Sequence, residues 1–330
     1  MQFKNAEISV VVPVYEKRDS RPRSLVRRMQ DAWIRPIVFP ASLLWCLAAS
    51  QSIADERGDE IVPARFPAGA HLIEKSHFEI DGVMTASNQD QSVKIPIKLT
   101  NKSVTISQII AERDGKPTEV VVDYATEYAL TEAAGQADDG TVQKNKSAEV
   151  GVLDGKTVRY SMNDGQWNGK FPTDAELTPD IRKALENYVP PHDDTLLEQK
   201  PRRPGEKWIV GSRYLRRYAP DALKLKGQTE CEYERVVRRD DRSFAIIGWN
   251  FEMEATILNS EGDEIQTKLG GSGRTWVDLA TGIEERSEGK GTIVQTGRVP
   301  DVPVPVRLAG SVLIRVEARF LVPGTTAPQR

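Results

Sequence analysis

The chain has 330 residues, with 45 Lys and Arg against 48 Asp and Glu, and a formal net charge of −3. A weakly acidic chain lacks the broad positive surface that nucleic acid requires, so we expect no nucleic-acid partner. The length allows one large domain or two small ones. The two cysteines are Cys46 and Cys231. Cys46 falls in a segment that we expect to be removed, so no intramolecular disulfide is predicted.

The first informative segment is an apolar run from Ile37 to Ser50, with three arginines before it and the small residues Ser52 and Ala54 behind it. That order is typical of a secretory signal peptide. The run is too short to span a bilayer, which takes about 20 apolar residues. We therefore predict a signal peptide over 29–54, export to the periplasm or the extracellular space, and no transmembrane segment after cleavage. A buried core helix is the alternative.

Residues 1–28 precede this signal, although an export signal normally begins the chain. Translation from Met29 gives a signal of ordinary length, so we interpret 1–28 as a mis-called start or a dispensable extension. Within it, Ile8 to Tyr15 resembles the first strand of the family-2 glycosyltransferases, which implies a nucleotide-sugar domain. The resemblance covers that strand alone, and Lys17 to Arg23 departs from the family pattern.

Residues 55–70 are polar and contain proline, which is typical of a linker. Beyond them, residues 71–173 alternate between apolar and polar side chains and form the first predicted β-rich half. A strand around residues 93–99 contains Pro96, which has no N–H to donate, so we expect it at a sheet edge. The pair Asp154-Gly155 lies between two alternating runs and predicts a β-hairpin. Residues 163–165 predict a further turn.

Residues 174–204 are predicted to be a helix followed by a proline-rich connector. Thr178 is suited to the N-cap and Pro179 to the first helical position, while apolar residues follow at helical spacing. Val189-Pro190-Pro191 ends the pattern. Residues 205–322 form the second β-rich half, and 323–330 a disordered tail.

The second half contains the longest alternating runs, at 245–257 and 308–320. The first would extend about 40 Å at the usual rise of a strand, with Gly248 as a bend point. One-sided strands joined by short turns favour antiparallel pairing. The predicted fold is therefore mainly β, a large curved antiparallel sheet or half-barrel built from two β-rich halves with one short helix between them.

Two turns carry a family resemblance. Pro204-Gly-Glu-Lys-Trp208 and Asp278 to Gly282 resemble turns of uncharacterised exported bacterial β-sheet domains, which are half-barrels similar to lipoprotein carriers. The resemblance implies a half-barrel fold and a location in the bacterial envelope. It implies no catalytic residues.

The chemistry-bearing residues form no recognised motif. His71, His77 and His192 lack the spacing of a zinc site, although His77 and Glu79 share one face of a strand. Gly270 to Gly273 lacks the lysine and helix of a phosphate loop and predicts a bend or bulge. Cys231 alternates with glutamates, which favours a small buried residue over a reactive thiol. We predict no cofactor, no metal site and no catalytic residues.

Three functional hypotheses remain. The first is a non-enzymatic envelope protein whose apolar sheet face binds an apolar ligand or packs as a scaffold; its predicted ligand-binding residues are Trp249, Phe251, Met253, Ile314 and Phe320. The second is a module that docks an anionic envelope partner through residues 202–226, using Arg213, Arg216 and Arg217. The third is a hydrolase of envelope polymers. The apolar face filled by its own core is the alternative to the first.

The signal-peptide interpretation makes a prediction about processing. Because the small residues Ser52 and Ala54 precede the expected cleavage site, the mature protein should begin at Asp55. N-terminal sequencing of the protein isolated from its native host measures this directly. A cytoplasmic product that retains Met1 would contradict the prediction.

Overall fold

The computed structural model describes residues 59–87, 92–136, 142–172, 177–186, 188, 196–198, 200–219, 222–239, 241–258, 262–299 and 302–322. Several predicted parts of the chain lie outside the described residues: the signal peptide at 29–54, the extension at 1–28, His192, the helix stop at 189–191 and the tail at 323–330. The division of the chain at those points remains a prediction.

Twelve strands and two short helical segments make up the described chain. The strands are β1 His71–Ser87, β2 Ser92–Arg113, β3 Lys116–Gln136, β4 Val142–Val150, β5 Thr157–Asn163, β6 Gln166–Lys170, β7 Lys207–Val210, β8 Lys224–Arg239, β9 Arg242–Leu258, β10 Glu264–Asp278, β11 Ile283–Val299 and β12 Val302–Leu321. The helix α1 is Pro179–Glu186, and a helical segment comprises α2, Ser212–Leu215, and a 3₁₀ turn, Arg216–Tyr218.

All the strands belong to one open, curved antiparallel sheet in the order β6-β5-β3-β2-β1-β12-β11-β10-β9-β8-β7, with β4 paired to β3 off this path. The first and last strands of the described chain, β1 and β12, pair from His71↔Leu321 to Ala86↔Val306. The predicted fold class is thereby confirmed: two β-rich halves with α1 between them. Within the described ranges, no helix is long and apolar enough to cross a membrane.

The alternation of the sequence decides which side of the sheet is buried. Along β9, every second residue from Ala245 to Ile257 is buried, as the pattern predicts. These residues and their neighbours on β1, β2, β8, β10, β11 and β12 form the main core on one face, which we call the apolar face. The opposite side chains define the polar face. A second core lies under β3, β5 and α1 and includes Tyr160 and Leu185.

The helical segment 212–218 covers part of the apolar face. Leu215 is fully buried, and the ring of Tyr218 stacks on Phe251 with 5.3 Å between centroids. The close approach depends on Gly227, where φ is +140° and an added Cβ would lie 2.7 Å from Leu215 Cδ1. This part of the chain therefore acts as a cover for β8 and β9.

Two pairs of glycines face each other across neighbouring strands and form what we call the glycine crease. Gly82 lies opposite Gly310 on β1 and β12, and Gly271 lies opposite Gly291 on β10 and β11. A Cβ at any of the four would lie under 3.0 Å from a backbone oxygen of the next strand. The strands therefore curve here because no side chain separates them. The predicted bend at 270–273 is part of this crease, without a register shift there.

The predicted bend point Gly248 has a different role. The β8–β9 register shifts between Tyr233 and Arg235, so Glu234 is an extra residue that forms a β-bulge. Its carboxylate lies over Gly248, where an added Cβ would be 2.5 Å from Glu234 Oε1.

Two predictions about strand neighbours are wrong. Pro96 is on an interior strand: β2 pairs with β1 along its length and with β3 from Ile97 onward. The proline is tolerated because the pairing of β2 with β3 ends at the next residue, Ile97, so position 96 has no partner on β3. Asp154-Gly155 joins no hairpin, because β4 and β5 pair with successive parts of the same strand, β3. Asp154 Oδ1 instead accepts a hydrogen bond of 2.6 Å from the backbone N–H of Glu127.

The predicted helix start and the turn at 163–165 are confirmed. The backbone N–H of Ile181 donates to Thr178 Oγ1 at 3.3 Å, and the helix begins at Pro179. Asp164 and Gly165 have φ values of +51° and +79°, as a two-residue hairpin turn requires.

The glycine crease predicts that substitution of two neighbouring glycines, Gly291 and Gly270, changes the free energy of unfolding by different amounts. Gly291→Ala should lower the free energy of unfolding by about 1–3 kcal/mol, because its Cβ would overlap Gly270 O. In Gly270→Ala, the Cβ would lie 3.5 Å from Phe251 O, an ordinary contact, so stability should stay unchanged or rise slightly. Urea denaturation of both variants measures the difference. Equal stabilities would contradict the assigned role of the crease.

Candidate ligand groove on the polar face

The predicted apolar-ligand residues lie in two different places. Trp249, Phe251, Met253 and Ile314 are buried together in the main core, whereas Phe320 packs against the second core. The indole Nε1 of Trp249 donates to Thr275 Oγ1 at 3.1 Å. Its ring fills the space above Gly273 and Gly289. At these residues the apolar face is occupied by the protein's own side chains.

The predicted anion-binding arginines lie on the helical segment 212–218. Arg216 is exposed, while the side chains of Arg213 and Arg217 lie outside the description. The tyrosines between them, Tyr214 and Tyr218, are buried against the core. The alternation of arginine and tyrosine therefore reflects a short helical element that packs through its tyrosines.

His77 lies on the polar face of β1, between Arg315 on β12 and Lys102 on β2. Its Nε2 is 3.7 Å from Glu79 Oε2, and Lys98 Nζ is 3.0 Å from the other oxygen of Glu79. Partial burial lowers the pKa of His77, and the positive charges of Lys102 and Arg315 lower it further, against the opposing effect of Glu79.

The other chemistry-bearing residues give no site within the described part of the chain. No group of three or more His, Cys, Asp or Glu among those residues could hold a metal ion. Cys231 is buried, and burial raises the pKa of its thiol far above the ordinary range. A thiol in that environment is protonated and poorly nucleophilic, which agrees with the predicted core role.

Open space is found on the polar face, as two adjoining depressions of about 900 and 890 Å³ that we call the polar groove. Both are lined by Glu230, Asn250, Ser272, Lys290 and Leu313. These residues come from five consecutive strands of the sheet order, β12, β11, β10, β9 and β8. A groove of this size can hold a small organic ligand.

Strand register places the groove residues in rows across the sheet. In the central row, Leu313 lies opposite Lys290, Lys290 opposite Ser272 and Ser272 opposite Asn250. Glu79 and Glu230 end this row on β1 and β8. The row is continuous because β1 pairs with β12.

Apolar side chains also lie on this polar face. Ile209 on β7 is 58% exposed, and Leu313 and Trp276 are half-buried. All three line one depression. The Arg286 guanidinium lies 5.3 Å from the centroid of the Trp276 ring. The groove thus offers apolar contact as well as charge, which is typical of a binding surface.

In the depression that reaches β7, most of the carboxylates are held in ion pairs. Glu234 accepts from Arg274 Nε at 2.9 Å, Glu232 lies 3.0 Å from Lys207 Nζ, and Glu288 lies 2.7 Å from Arg286 Nη2. The bulge at Glu234 is what directs its carboxylate over Gly248 toward Arg274.

Two groove cations have no such partner. Lys290 and Arg315 are exposed, and neither has an ion pair or hydrogen bond with any residue that the structure describes. Glu288 lies opposite Arg315 but is bound to Arg286. Asp81, Glu230 and Glu252 also lack an ion pair within the described ranges and lie toward the far ends of the groove.

The sequence analysis missed this groove, although one signal was present. Leu313 and Trp276 stand at polar-face positions of their alternating runs, where a polar residue is expected. Apolar residues grouped on a surface and rimmed by polar ones, as Leu313, Trp276 and Ile209 are in one depression, are typical of a binding site.

Comparisons with known proteins give a weak structural resemblance. No protein-family model matches the chain, and no curated protein matches its sequence. The COG4313 outer membrane channel from Pseudomonas putida F1 matches at 10% identity with a TM-score of 0.19, over 82% of this chain and 100% of that one. A DUF1329 family protein from Desulfovibrio piger matches at 8% with a TM-score of 0.12, over 76% of this chain and 87% of that one. Scores this low support no conclusion about ligand or activity.

The electrostatics of His77 can be tested directly. Lys102→Met should raise the pKa of His77 toward its ordinary value of 6.5, because a positive charge that opposes protonation is removed. Lys94→Met, an exposed lysine further along the same face of β2, is the matched control and should leave this pKa unchanged. Titration of the imidazole signals by NMR measures both. No rise in Lys102→Met would contradict the placement of His77 beside these cations.

Proposed function

We propose that the protein is exported and acts in the cell envelope as a non-enzymatic binding protein whose ligand lies in the polar groove. The signal-like order of residues 27–54 supports export. The absence of a nucleophile or zinc motif in the sequence supports a binding role over a hydrolytic one.

The observation that carries this proposal is the contrast between the two faces of the sheet. The apolar face is packed with its own side chains at Trp249, Phe251 and Met253 and is covered there by Tyr218. The polar face carries about 900 Å³ of open space that reaches across six strands, β7 to β12. A ligand therefore enters the polar groove without displacing the core.

The proposed function is still ligand binding, but the ligand lies in the polar groove and not on the apolar face that the sequence predicted. Binding on the apolar face would require the helical segment 212–218 to leave β8 and β9 and expose Leu215 and Phe251, both buried. Exposing apolar side chains of this size costs about 1.5–3 kcal/mol each. The groove requires no such opening.

Filling the groove tests the proposal. In Ser272→Trp, the indole would project from the central row into both depressions and should abolish capture of any ligand from an envelope extract. Gln266→Trp is the matched control, because Gln266 is exposed on the same face of the same strand outside the groove. Native mass spectrometry of the protein incubated with an extract of its host envelope measures the bound mass.

We expect a ligand mass on the wild-type protein and on Gln266→Trp, and none on Ser272→Trp. Circular dichroism verifies that both variants fold. A wild-type protein without any bound mass, or a ligand retained equally by both variants, would overturn the proposal.

A further inference from the structure

The two unpaired cations of the polar groove lie side by side. Lys290 lies opposite Leu313, and Arg315 is two residues further along the same face of β12. Diagonal neighbours of this kind are about 7–8 Å apart, within reach of long side chains. Two cations held at that separation repel each other unless something negative lies between them.

No carboxylate near Lys290 is free to neutralise the two cations. Its neighbouring strands β10 and β12 present Gly270, Ser272, Arg274, Ser311, Leu313 and Arg315 to the groove. Glu288, on its own strand, is bound to Arg286 at 2.7 Å. Asp81, Glu230 and Glu252 are two or more strands away, which is about 10 Å at the usual spacing of strands.

The surroundings favour an anion further. Ser272, directly opposite Lys290, offers a hydroxyl donor next to that lysine. On the β1 side, Glu79 is diagonal to Arg315 but lies 3.0 Å from Lys98 Nζ, and Lys102 lies beyond His77 on β2. Leu313 and Trp276 reduce the water around the two cations, which strengthens a charged contact.

We propose that Lys290 and Arg315, with the Ser272 hydroxyl beside Lys290, bind a phosphate group of the ligand. An Arg guanidinium binds phosphate oxygens in a bidentate manner, and Lys adds a point charge. The phosphate belongs either to a soluble phosphate ester or to a phospholipid head group. The assignment rests on the proposed function, since it names the chemistry of a ligand in the same groove.

Two probes distinguish these sources. Glycerol 3-phosphate, added to the purified protein in calorimetry, represents the soluble ester. Vesicles of phosphatidylglycerol and phosphatidylcholine, compared with phosphatidylcholine alone in a flotation assay, represent the head group. The test variant is Lys290→Met with Arg315→Gln. Its matched control is Lys94→Met with Arg307→Gln, an exposed Lys and Arg on the same face that flank Thr85 outside the groove.

We expect the wild-type protein and the control to bind at least one probe, and the test variant to bind that probe about tenfold more weakly or worse. Binding of the soluble ester identifies the first source, and binding of the acidic vesicles alone identifies the second. Binding of neither probe, unchanged binding by the test variant, or equal loss in the control would overturn the phosphate site. If these assays fail while Ser272→Trp still abolishes ligand capture, the proposed function stands and the phosphate assignment alone is wrong.

Discussion

The pairing of β1 with β12 is the constraint on which the rest of the structure depends. It joins the first and last strands of the described chain over sixteen consecutive residue pairs, from His71↔Leu321 to Ala86↔Val306. Without it the sheet would separate into two halves, each with an exposed edge and part of the main core. The same pairing places Glu79 and His77 beside Leu313 and Arg315, so it also completes one side of the polar groove. Such a non-local contact is formed at a high cost in chain entropy, which makes slow folding the expected behaviour.

This dependence explains which parts of the fold could be predicted from the sequence. Alternation along β9 is a local property, and it correctly assigned Trp249, Phe251 and Met253 to the buried face. Strand order is a non-local property that alternation does not encode. The errors concern strand order. Asp154-Gly155 was predicted to form a hairpin, but β4 and β5 both pair with β3, and nothing in the local sequence indicates that shared neighbour. The groove was missed because its residues come from seven strands, β1 and β7 to β12, and each strand contributes only a few polar-face side chains. Leu313 and Trp276, apolar residues on a polar face, were the local signal.

The charges of the groove are arranged so that most of them neutralise each other. Exposed ion pairs such as Lys207–Glu232 contribute little to stability, about 0–1 kcal/mol each. In the proposed binding site, each pair holds a carboxylate that would otherwise attract Lys290 or Arg315. The bulge at Glu234 is an example, because it commits one glutamate to Arg274 and leaves the space above Gly248 polar. The groove thus keeps two cations near its centre while the chain as a whole is weakly acidic.

The glycine crease raises a further question of register, because strands rich in glycine can slip. Near the crease, buried polar side chains pair across strands. Thr275 and Ser287 lie with their hydroxyl oxygens 2.8 Å apart, and Gln295 Nε2 donates to Thr267 Oγ1 at 3.1 Å. A slip of one residue would turn these side chains to the other face and bury groove charges such as Lys290 without partners, at a high free-energy cost. The polar pairs therefore fix the strand register, which the glycines alone do not fix. That register brings Ser272, Lys290 and Leu313 into one row of the groove.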